Sequence, residues 1–383
     1  MRNKPNLRFE EYKEVYTQYI LAEITSRVIR KNLDANTNNL TISAQYGLVN
    51  QSEFFNKDIA SKNNTHYYLL NKGDFAYNKS YSKGYPAGVV RRLDKYEIGV
   101  VSTLYICFSP KQTIDSEYLI QYFESGKLNK KLLSIAQEGA RNHGLLNISV
   151  VDFFQDIDLS IPKLKEQIKV SRILSIIDNK IELQQLKLEN LKLFKKGLAM
   201  MLLSHEKYQN KTLSEIAKVT MGQSPDSKSY NNNNIGLPLI QGNADIYNRR
   251  TQPRNYTSEP TKTCNIGDIV MTVRAPVGYI GKSNHKACIG RGVCAIIAND
   301  CTEYLYQFLL VQEGKWKIVS QGSTFEAVNS RDINNLKVLV PCIEEQKKIA
   351  KILSCLDNKV DATYLKNLRL KHFKKGLLQQ MFI

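Results

Sequence analysis

The sequence lacks the cysteine and histidine spacings that commonly bind metal ions. Its seven cysteines form no C-x-x-C pair, and its five histidines form no H-x-x-x-H or H-E-x-x-H pattern. Cys288, Cys294 and Cys301 are near one another, but His285 is the one histidine close to them. Structural zinc sites use four such ligands at short, regular spacings. We therefore expect buried, reduced thiols and no metal site, with a zinc cluster as the weaker alternative.

The sequence also lacks long apolar runs. None approaches the roughly 18 residues that a membrane-spanning helix needs. The first residues, MRNKPNLRFEEYKEVY, are charged and do not have the pattern of a secretory signal peptide. Together with the unpaired cysteines, these features predict a cytoplasmic protein.

Catalytic signatures are missing as well. GYIGKS, at 278–283, is the nearest approach to a phosphate-binding loop, but Pro276 stands where that loop needs its first glycine. A KH-type reading of the same glycines is equally weak. There is no cofactor-binding glycine-rich turn, no N/D-P-P-Y/F loop for a target base, and no cluster of carboxylates for metal-dependent cleavage. We therefore predict a chain that is not an enzyme, with no catalytic residues and no bound cofactor.

Acidic residues are few compared with basic ones. The chain has 54 Lys and Arg against 36 Asp and Glu, a net charge of +18. Such an excess favours a polyanionic partner, usually nucleic acid or an anionic membrane surface, and we expect nucleic acid and no membrane. A merely basic protein without such a partner is the alternative.

An internal repeat is the strongest positive feature of the sequence. ILSIIDNKI, from Ile173, returns as ILSCLDNKV, from Ile352, at a shift of 179 residues. FKKGL also occurs twice at this shift, and 162–203 and 341–382 share 19 identities in 42 gapless positions. Repetition at a fixed shift indicates a duplicated structural unit.

Both copies have the pattern of long helices with a narrow apolar seam. Seam residues recur at alternating steps of three and four, as in a heptad coiled coil, without an interior proline. Gly197 and Gly376 interrupt the pattern, either to let helices approach closely or because the helix ends fray. We expect the two helices to pair antiparallel; the alternative is that each packs on its own globular block. The predicted seam consists of Leu174, Ile177, Ile181, Leu188, Leu191 and Leu198, with Leu353, Leu356, Val360, Leu370 and Leu377.

Each repeated helix follows a mixed block, and the two blocks are distant copies. LAEI resembles LSEI, EYLIQYF resembles EYLYQFL, and each block ends in a short apolar run before a proline. Strand-like runs alternate with glycine and asparagine turns inside the blocks. The predicted fold is α+β: two mixed α/β blocks joined by two long antiparallel helices in a pseudo-twofold repeat. The predicted divisions are 1–161, 162–205, 206–340 and 341–383.

Basic, amide and aromatic residues interleave at 77–92 and 241–256. Arginine and lysine neutralise phosphates, and arginine, asparagine and glutamine contact base edges. A solvated polar loop is the alternative for each stretch. In the first block we expect nucleic-acid contacts from Lys79, Tyr81, Lys83, Arg91, Arg141, Asn142 and His143. In the second block we expect them from Gln241, Asn243, Arg249, Arg250, Arg274, Lys282 and Arg291.

The doubled run P-x-x-x-E-Q, I-L-S, D-N-K and F-K-K-G-L resembles the specificity subunit of type I restriction-modification systems, and the resemblance covers the whole chain. It implies that the mixed blocks are target recognition domains, each reading one half of a split site in double-stranded DNA. It also implies that the helices are spacers that bind modification subunits.

The resemblance assigns the chemistry to other chains. Two methyltransferase subunits and the restriction subunits would be the partners, and S-adenosylmethionine, ATP and Mg would be bound by them. One alternative is a coiled-coil DNA-binding or scaffold protein without restriction partners. Another is a restriction enzyme in which this chain contributes catalysis.

Overall fold

The computed structural model describes residues 4–55, 64–82, 84–136, 146–321 and 327–383. Contacts divide the chain into two compact units, residues 1–184 with 366–383, and residues 185–365. Each unit therefore contains a mixed block and one segment of each long helix.

The long helices have the predicted character. Helix α6 runs from Leu164 to Leu203 and α10 from Ile343 to Met381. Each begins two residues after a proline, Pro162 or Pro341. Proline is tolerated at this end, where the first amide groups have no partner within the helix.

The first unit holds the elements that precede α6. Its helices are α1 (Leu21–Ile24), α2 (Gln51–Phe55), α3 (Ser116–Glu124), α4 (Asn129–Ser134) and α5 (Val150–Gln155). Its strands are β1 (Thr17–Ile20), β2 (Thr25–Arg27), β3 (Leu40–Ser43), β4 (Gly47–Asn50), β5 (Tyr68–Asn71), β6 (Phe75–Asn78), β7 (Val89–Arg92), β8 (Ile98–Val101), β9 (Ile106–Pro110) and β10 (Asp158–Ile161).

A four-stranded sheet in the order β2-β9-β6-β7 forms the centre of this unit. Phe75 and Phe108 stack on it with ring centroids 5.2 Å apart, and both rings are fully buried. Strand β1 pairs antiparallel with β10, so the block closes on itself immediately before α6 begins. Leu174 of α6 and Leu378 of α10 belong to the same apolar core.

The second unit holds the elements between the long helices. Its helices are α7 (Leu213–Ile216), α8 (Thr302–Gln321) and α9 (Ser330–Asn334). Its strands are β11 (Gln209–Thr212), β12 (Ala217–Met221), β13 (Tyr230–Asn231), β14 (Leu237–Ile240), β15 (Ile246–Tyr247), β16 (Arg250–Thr251), β17 (Asn255–Thr257), β18 (Thr263–Cys264), β19 (Ile269–Thr272), β20 (Ile280–Lys282), β21 (Ala287–Ile289), β22 (Val293–Ala298) and β23 (Lys337–Val340).

The second block repeats the plan of the first. Its larger sheet begins β12-β22-β19-β20 and continues to β16 and β15, so its first four positions correspond to β2-β9-β6-β7. Strand β11 pairs antiparallel with β23, the last strand before α10. LAEI and LSEI form the equivalent short helices α1 and α7. The α+β fold with an internal repeat is confirmed.

The two long helices contact each other within each unit. Asp178 of α6 bonds Lys374 of α10 in the first unit, and Lys195 bonds Asp357 in the second. From Asp178 to Lys195 the residue numbers on α6 rise, while those of their partners on α10 fall from Lys374 to Asp357. This is the order of an antiparallel pair. The alternative, in which each helix packs on its own block alone, is wrong.

The predicted seam residues lie on the less accessible side of the helices. Leu174, Ile177, Leu188 and Leu353 are buried. Ile181, Leu191, Leu198, Leu356, Val360, Leu370 and Leu377 are half-buried. This placement agrees with a coiled-coil seam. The four-part division of the chain at 161, 205 and 340 stays a prediction.

Two smaller expectations are wrong. A side-chain carbon at Gly197 or Gly376 would have no neighbour within 4 Å, so neither glycine serves a close approach, and both helices continue beyond them. Cys342 and Cys355 are exposed rather than buried. Both lie at polar-facing positions of α10 or its approach, where the periodicity of the seam gives no burial.

Candidate nucleic-acid interface

Arg91, predicted to contact nucleic acid, has partners inside the first unit. Its guanidinium bonds the Glu124 carboxylate and the Ala44 carbonyl oxygen, and it donates to the Tyr85 hydroxyl at 2.9 Å. The guanidinium also lies over the Tyr85 ring, 5.2 Å from its centroid. A side chain with this many internal contacts stabilises the fold, so its use for reading DNA stays a prediction that the geometry does not favour.

Other predicted contacts in the first block are more accessible or are not described. Tyr81 is 64% exposed. Lys79 Nζ donates to the Ile148 carbonyl oxygen at 3.3 Å, and burial lowers the pKa of Lys79. Lys83, Arg141, Asn142 and His143 lie outside the described residues. Among the described residues of the first block, Tyr81 is the one predicted contact that is freely exposed.

Two of the predicted cations in the second block are also engaged internally. Arg249 bonds both carboxylate oxygens of Glu313 and lies over the Tyr279 ring at 4.4 Å. Lys282 forms an ion pair with Glu303. These cations neutralise half-buried carboxylates, which would otherwise be costly to remove from water. As with Arg91, their use for DNA contact stays a prediction that the geometry does not favour.

The remaining predicted residues of the second block face solvent. Asn243, Arg250, Arg274 and Arg291 are exposed, and Gln241 is half-buried. Within the described part of the chain, none of the three arginines has a carboxylate in an ion pair. Their positive charge is therefore free to attract phosphate.

Backbone contacts bring several of these residues together. Val273, which precedes Arg274, donates to the Gly292 carbonyl oxygen at 2.9 Å. Gly290 donates to the Ile240 carbonyl oxygen at 2.8 Å. A side chain at Gly292 would clash with the Gln241 carbonyl oxygen. The backbone at Gly292 can lie this close to residues 240–243 because glycine has no side chain. We call Gln241, Asn243, Arg274 and Arg291 the loop surface.

The loop surface has the chemistry of a nucleic-acid contact. A guanidinium presents its donors in a planar fork that matches phosphate and the guanine edge, and amides match adenine. Asp245 holds the loop in place because its carboxylate accepts from the backbone N–H of Gln241 at 2.8 Å and from Arg254 Nε at 3.0 Å. Arg250, on β16, lies beside β20 in the sheet.

Sequence reasoning missed residues that connect the blocks to the helices. Gln121 and Gln307 are 3% and 1% exposed, and they bond Asp178 and Asp357, respectively. Their signal was present in the repeated EYLIQ and EYLYQ, where a polar residue recurs within an apolar helix face. That pattern predicts a helix, but the aspartates that the glutamines contact lie 57 and 50 residues away in the sequence, so no local pattern indicates the contact.

Other kinds of site receive no support from the described residues. Among them, no group of three or more His, Cys, Asp or Glu side chains is placed to hold a metal ion. Burial raises the pKa of Cys107 and Cys294 to about 12, which disfavours the reactive thiolate. No helix in the described ranges is long and apolar enough to cross a membrane.

A family model for the type I restriction modification DNA specificity domain matches the chain twice, at residues 13–193 and 205–372. Each match contains most or all of one mixed block and much of the long helix that follows it. The two matches therefore reproduce the internal repeat.

Curated relatives are named as specificity subunits of type I restriction enzymes. A Methanocaldococcus jannaschii protein that carries the name type I restriction enzyme MjaX specificity subunit is 29% identical over 283 residues, 68% of this chain. The MjaIX specificity subunit of the same organism is 29% identical over 187 residues, 45% of this chain. The matches span 65% and 43% of the length of these two relatives.

Solved structures share the fold over nearly the whole chain. The S subunit of a type I restriction-modification system from M. genitalium has a TM-score of 0.64 at 16% identity, covering 99% of both chains. A chain from work on complex assembly and conformational transition of the type I R-M system has a TM-score of 0.62 at 21% identity, covering 96% of this chain and 97% of that one. Together with the double family match, this likeness in fold leads to one conclusion: the chain belongs to the family of type I restriction modification DNA specificity domains.

Proposed function

We propose that this protein is the DNA-specificity subunit of a type I restriction-modification complex. The double match of a specificity-domain family to two block-and-helix repeats carries the proposal. In it, each block reads one half of a split site in double-stranded DNA. The repeated helices are the spacer segments.

The charge of the protein supports DNA as the ligand. The net charge is +18, and the loop surface offers arginines without carboxylate partners among the described residues. Lysine and arginine contacts to phosphate supply affinity that depends on salt, and amides and arginines near base edges supply sequence selectivity. The loop surface is our candidate for reading one half-site.

The chemistry is assigned to partner subunits. Two modification subunits bind the repeated helices, and restriction subunits join them. S-adenosylmethionine, ATP and Mg are bound by those partners, and the complex works in the cytoplasm. The chain itself is not an enzyme, so incubation with labelled S-adenosylmethionine and plasmid should give no turnover above a protein-free control.

A block exchange tests the proposal. Residues 1–160 are replaced by the equivalent block of a relative, and methylated adenines are sequenced in cells that also express the modification subunit. One half of the methylated site should change while the other half and its distance stay the same. A change in both halves would contradict independent reading. Binding to DNA without any methylation would favour a DNA-binding scaffold without restriction partners.

A further inference from the structure

A short series of polar contacts attaches the first block to the helix pair. Gln121 Nε2, on α3, donates to Asp178 Oδ2, on α6, at 2.8 Å and to Glu117 Oε1 at 3.2 Å. Asp178 also accepts from Lys374 Nζ, on α10, at 2.8 Å. We call Gln121, Asp178 and Lys374 the first polar joint.

The second unit contains the same arrangement. Gln307 Nε2, on α8, donates to Asp357 Oδ2, on α10, at 2.7 Å and to Glu303 Oε1 at 3.1 Å. Lys195, on α6, forms an ion pair with the same Asp357. Gln307, Asp357 and Lys195 are the second polar joint. In both joints the aspartate comes from the helix that follows its own block, and the lysine comes from the other helix.

The recurrence of this geometry points to a use beyond general stability. The two blocks resemble each other only weakly, yet each keeps a glutamine that is almost fully buried at this place. A buried amide that loses its acceptor is costly, so such a residue is retained where its bonding direction matters. The lysine and aspartate recur because they lie in the repeated helices.

The joints continue into the sheets of the blocks. Glu117 accepts from Arg92, at the end of β7, at 2.7 Å. Glu303 forms an ion pair with Lys282, at the end of β20. Strands β7 and β20 occupy corresponding positions in the two sheets. A continuous set of directional bonds therefore runs from each sheet through a helix of the block to the helix pair.

Packing alone does not secure the first joint. An open cleft of about 890 Å³ borders it, and Gln121, Asp178 and Lys374 are among its lining residues. Apolar contacts are non-directional and permit small changes of angle where side chains are not tightly packed. Charge-assisted hydrogen bonds fix both distance and direction.

We propose that the two polar joints fix the angle of each recognition block on the helix pair and so determine how strictly the protein discriminates the spacer length of its split DNA site. This inference rests on the proposed function. The joint residues are positioning residues: they act on the site through the block and need not contact DNA.

The helices supply matched variants for a test. Each FKKG motif has one lysine in a joint, Lys374 or Lys195, and one neighbouring exposed lysine, Lys375 or Lys196. K374Q and K375Q therefore remove the same charge from adjacent positions, and only the first breaks a joint. K374R keeps the charge and should rescue the joint, and Q121L removes the glutamine bond.

The first measurement uses the complex with its modification subunit on a DNA library of varied spacer length. Methylation at spacers one base pair from the preferred length should rise about three- to tenfold relative to the preferred spacer in Q121L and K374Q, the effect of losing one such bond. Half-site sequences should stay unchanged, and the spacer profiles of K375Q and K374R should match that of the wild type, whatever their total activity. Unchanged spacer profiles in Q121L and K374Q, with or without lower total activity, would overturn the proposal.

The second measurement needs no DNA. Spin labels at K130C and K180C, both exposed positions in the first unit, report the distance between block and helix. The accessible Cys301, Cys342 and Cys355 are replaced by serine. The distance distribution should be narrow in the wild type and K375Q and broader in Q121L and K374Q; equal widths would overturn the joint. If the wild-type complex methylates no split site, the proposed function fails, and these distributions still decide the joint.

Discussion

Lys195 on α6 forms an ion pair with Asp357 on α10, and the lysine side chain is only 16% exposed. Lys374 and Asp178 form the matching pair in the first unit, with the lysine 15% exposed. FKKGL and DNK, two parts of the repeat that recur unchanged, are thus contact partners of each other. Each copy of the repeat contributes the aspartate of one ion pair and the lysine of the other.

The helix pair should act as a ruler. One heptad inserted in each helix, after Leu191 and after Leu370, keeps the seam in phase and adds roughly 10 Å. At about 3.4 Å per base pair the preferred spacer should lengthen by up to about 3 base pairs, with both half-sites unchanged. Methylome sequencing measures this. A two-residue insertion is the control, since it misplaces the seam and should abolish activity; an active heptad variant with the original spacer would refute the ruler.

Replacing two helix glycines with alanine should stabilise the folded protein. Gly197→Ala and Gly376→Ala should each raise the free energy of unfolding by up to about 1 kcal/mol, because alanine is the better helix former. Both positions are exposed, and an added carbon has no neighbour within 4 Å. Urea unfolding measures the change. Gly236→Ala should be destabilising instead, because Gly236 has φ +83° and the added carbon would meet the Thr257 carbonyl oxygen. A destabilising Gly197→Ala would contradict the conclusion that Gly197 lies in an open helix interior.

Stability should depend on Glu117 in a pH-dependent way. Burial acts to raise the pKa of Glu117. The positive charge of Arg92 and hydrogen bonds from Arg92, Gln121 and Ser175 together outweigh burial, so the pKa lies below its ordinary 4.5. A carboxyl whose pKa is lower in the folded state stabilises the fold above its unfolded pKa and loses this effect as pH falls through the folded value.

The variant E117Q should therefore be less stable than the wild type near neutral pH, and the difference should shrink below about pH 4. Unfolding midpoints in urea between pH 3 and 7 measure it. E182Q, at an exposed position of α6, is the control and should show little change. A deficit in E117Q that is equal at pH 3 and pH 7 would show that the carboxylate charge is not involved.

The long helices and the block repeat could be predicted because their signals are local or periodic. Seam positions such as Leu174 and Leu353 recur at heptad spacing, and Pro162 marks a helix start. The partners of the cations could not be predicted. Arg91 and Glu124 are 33 residues apart, and Arg249 and Glu313 are 64 apart. No local pattern links such pairs, so exposed and internally paired arginines look alike in sequence.

The loop surface should contribute to DNA binding. R291A should weaken binding by about 1–3 kcal/mol if the guanidinium reads a base, and selectivity should relax at one position of the site. Loss of a phosphate contact would instead weaken binding to all sequences alike and reduce the slope of log K against log salt by about 1. Binding to varied sites at several salt concentrations separates the two. K218A, which removes an exposed charge from β12, is the control; equal effects of R291A and K218A would exclude the loop surface.

In the proposed function, this chain directs adenine methylation to a split DNA site. Sequencing of methylated adenines in two strains, with and without this gene and with the partner genes kept in both, tests it most directly. We predict a motif of two short specific halves separated by a fixed spacer that is methylated only when the gene is present. The same set of methylated motifs in both strains would contradict the claim.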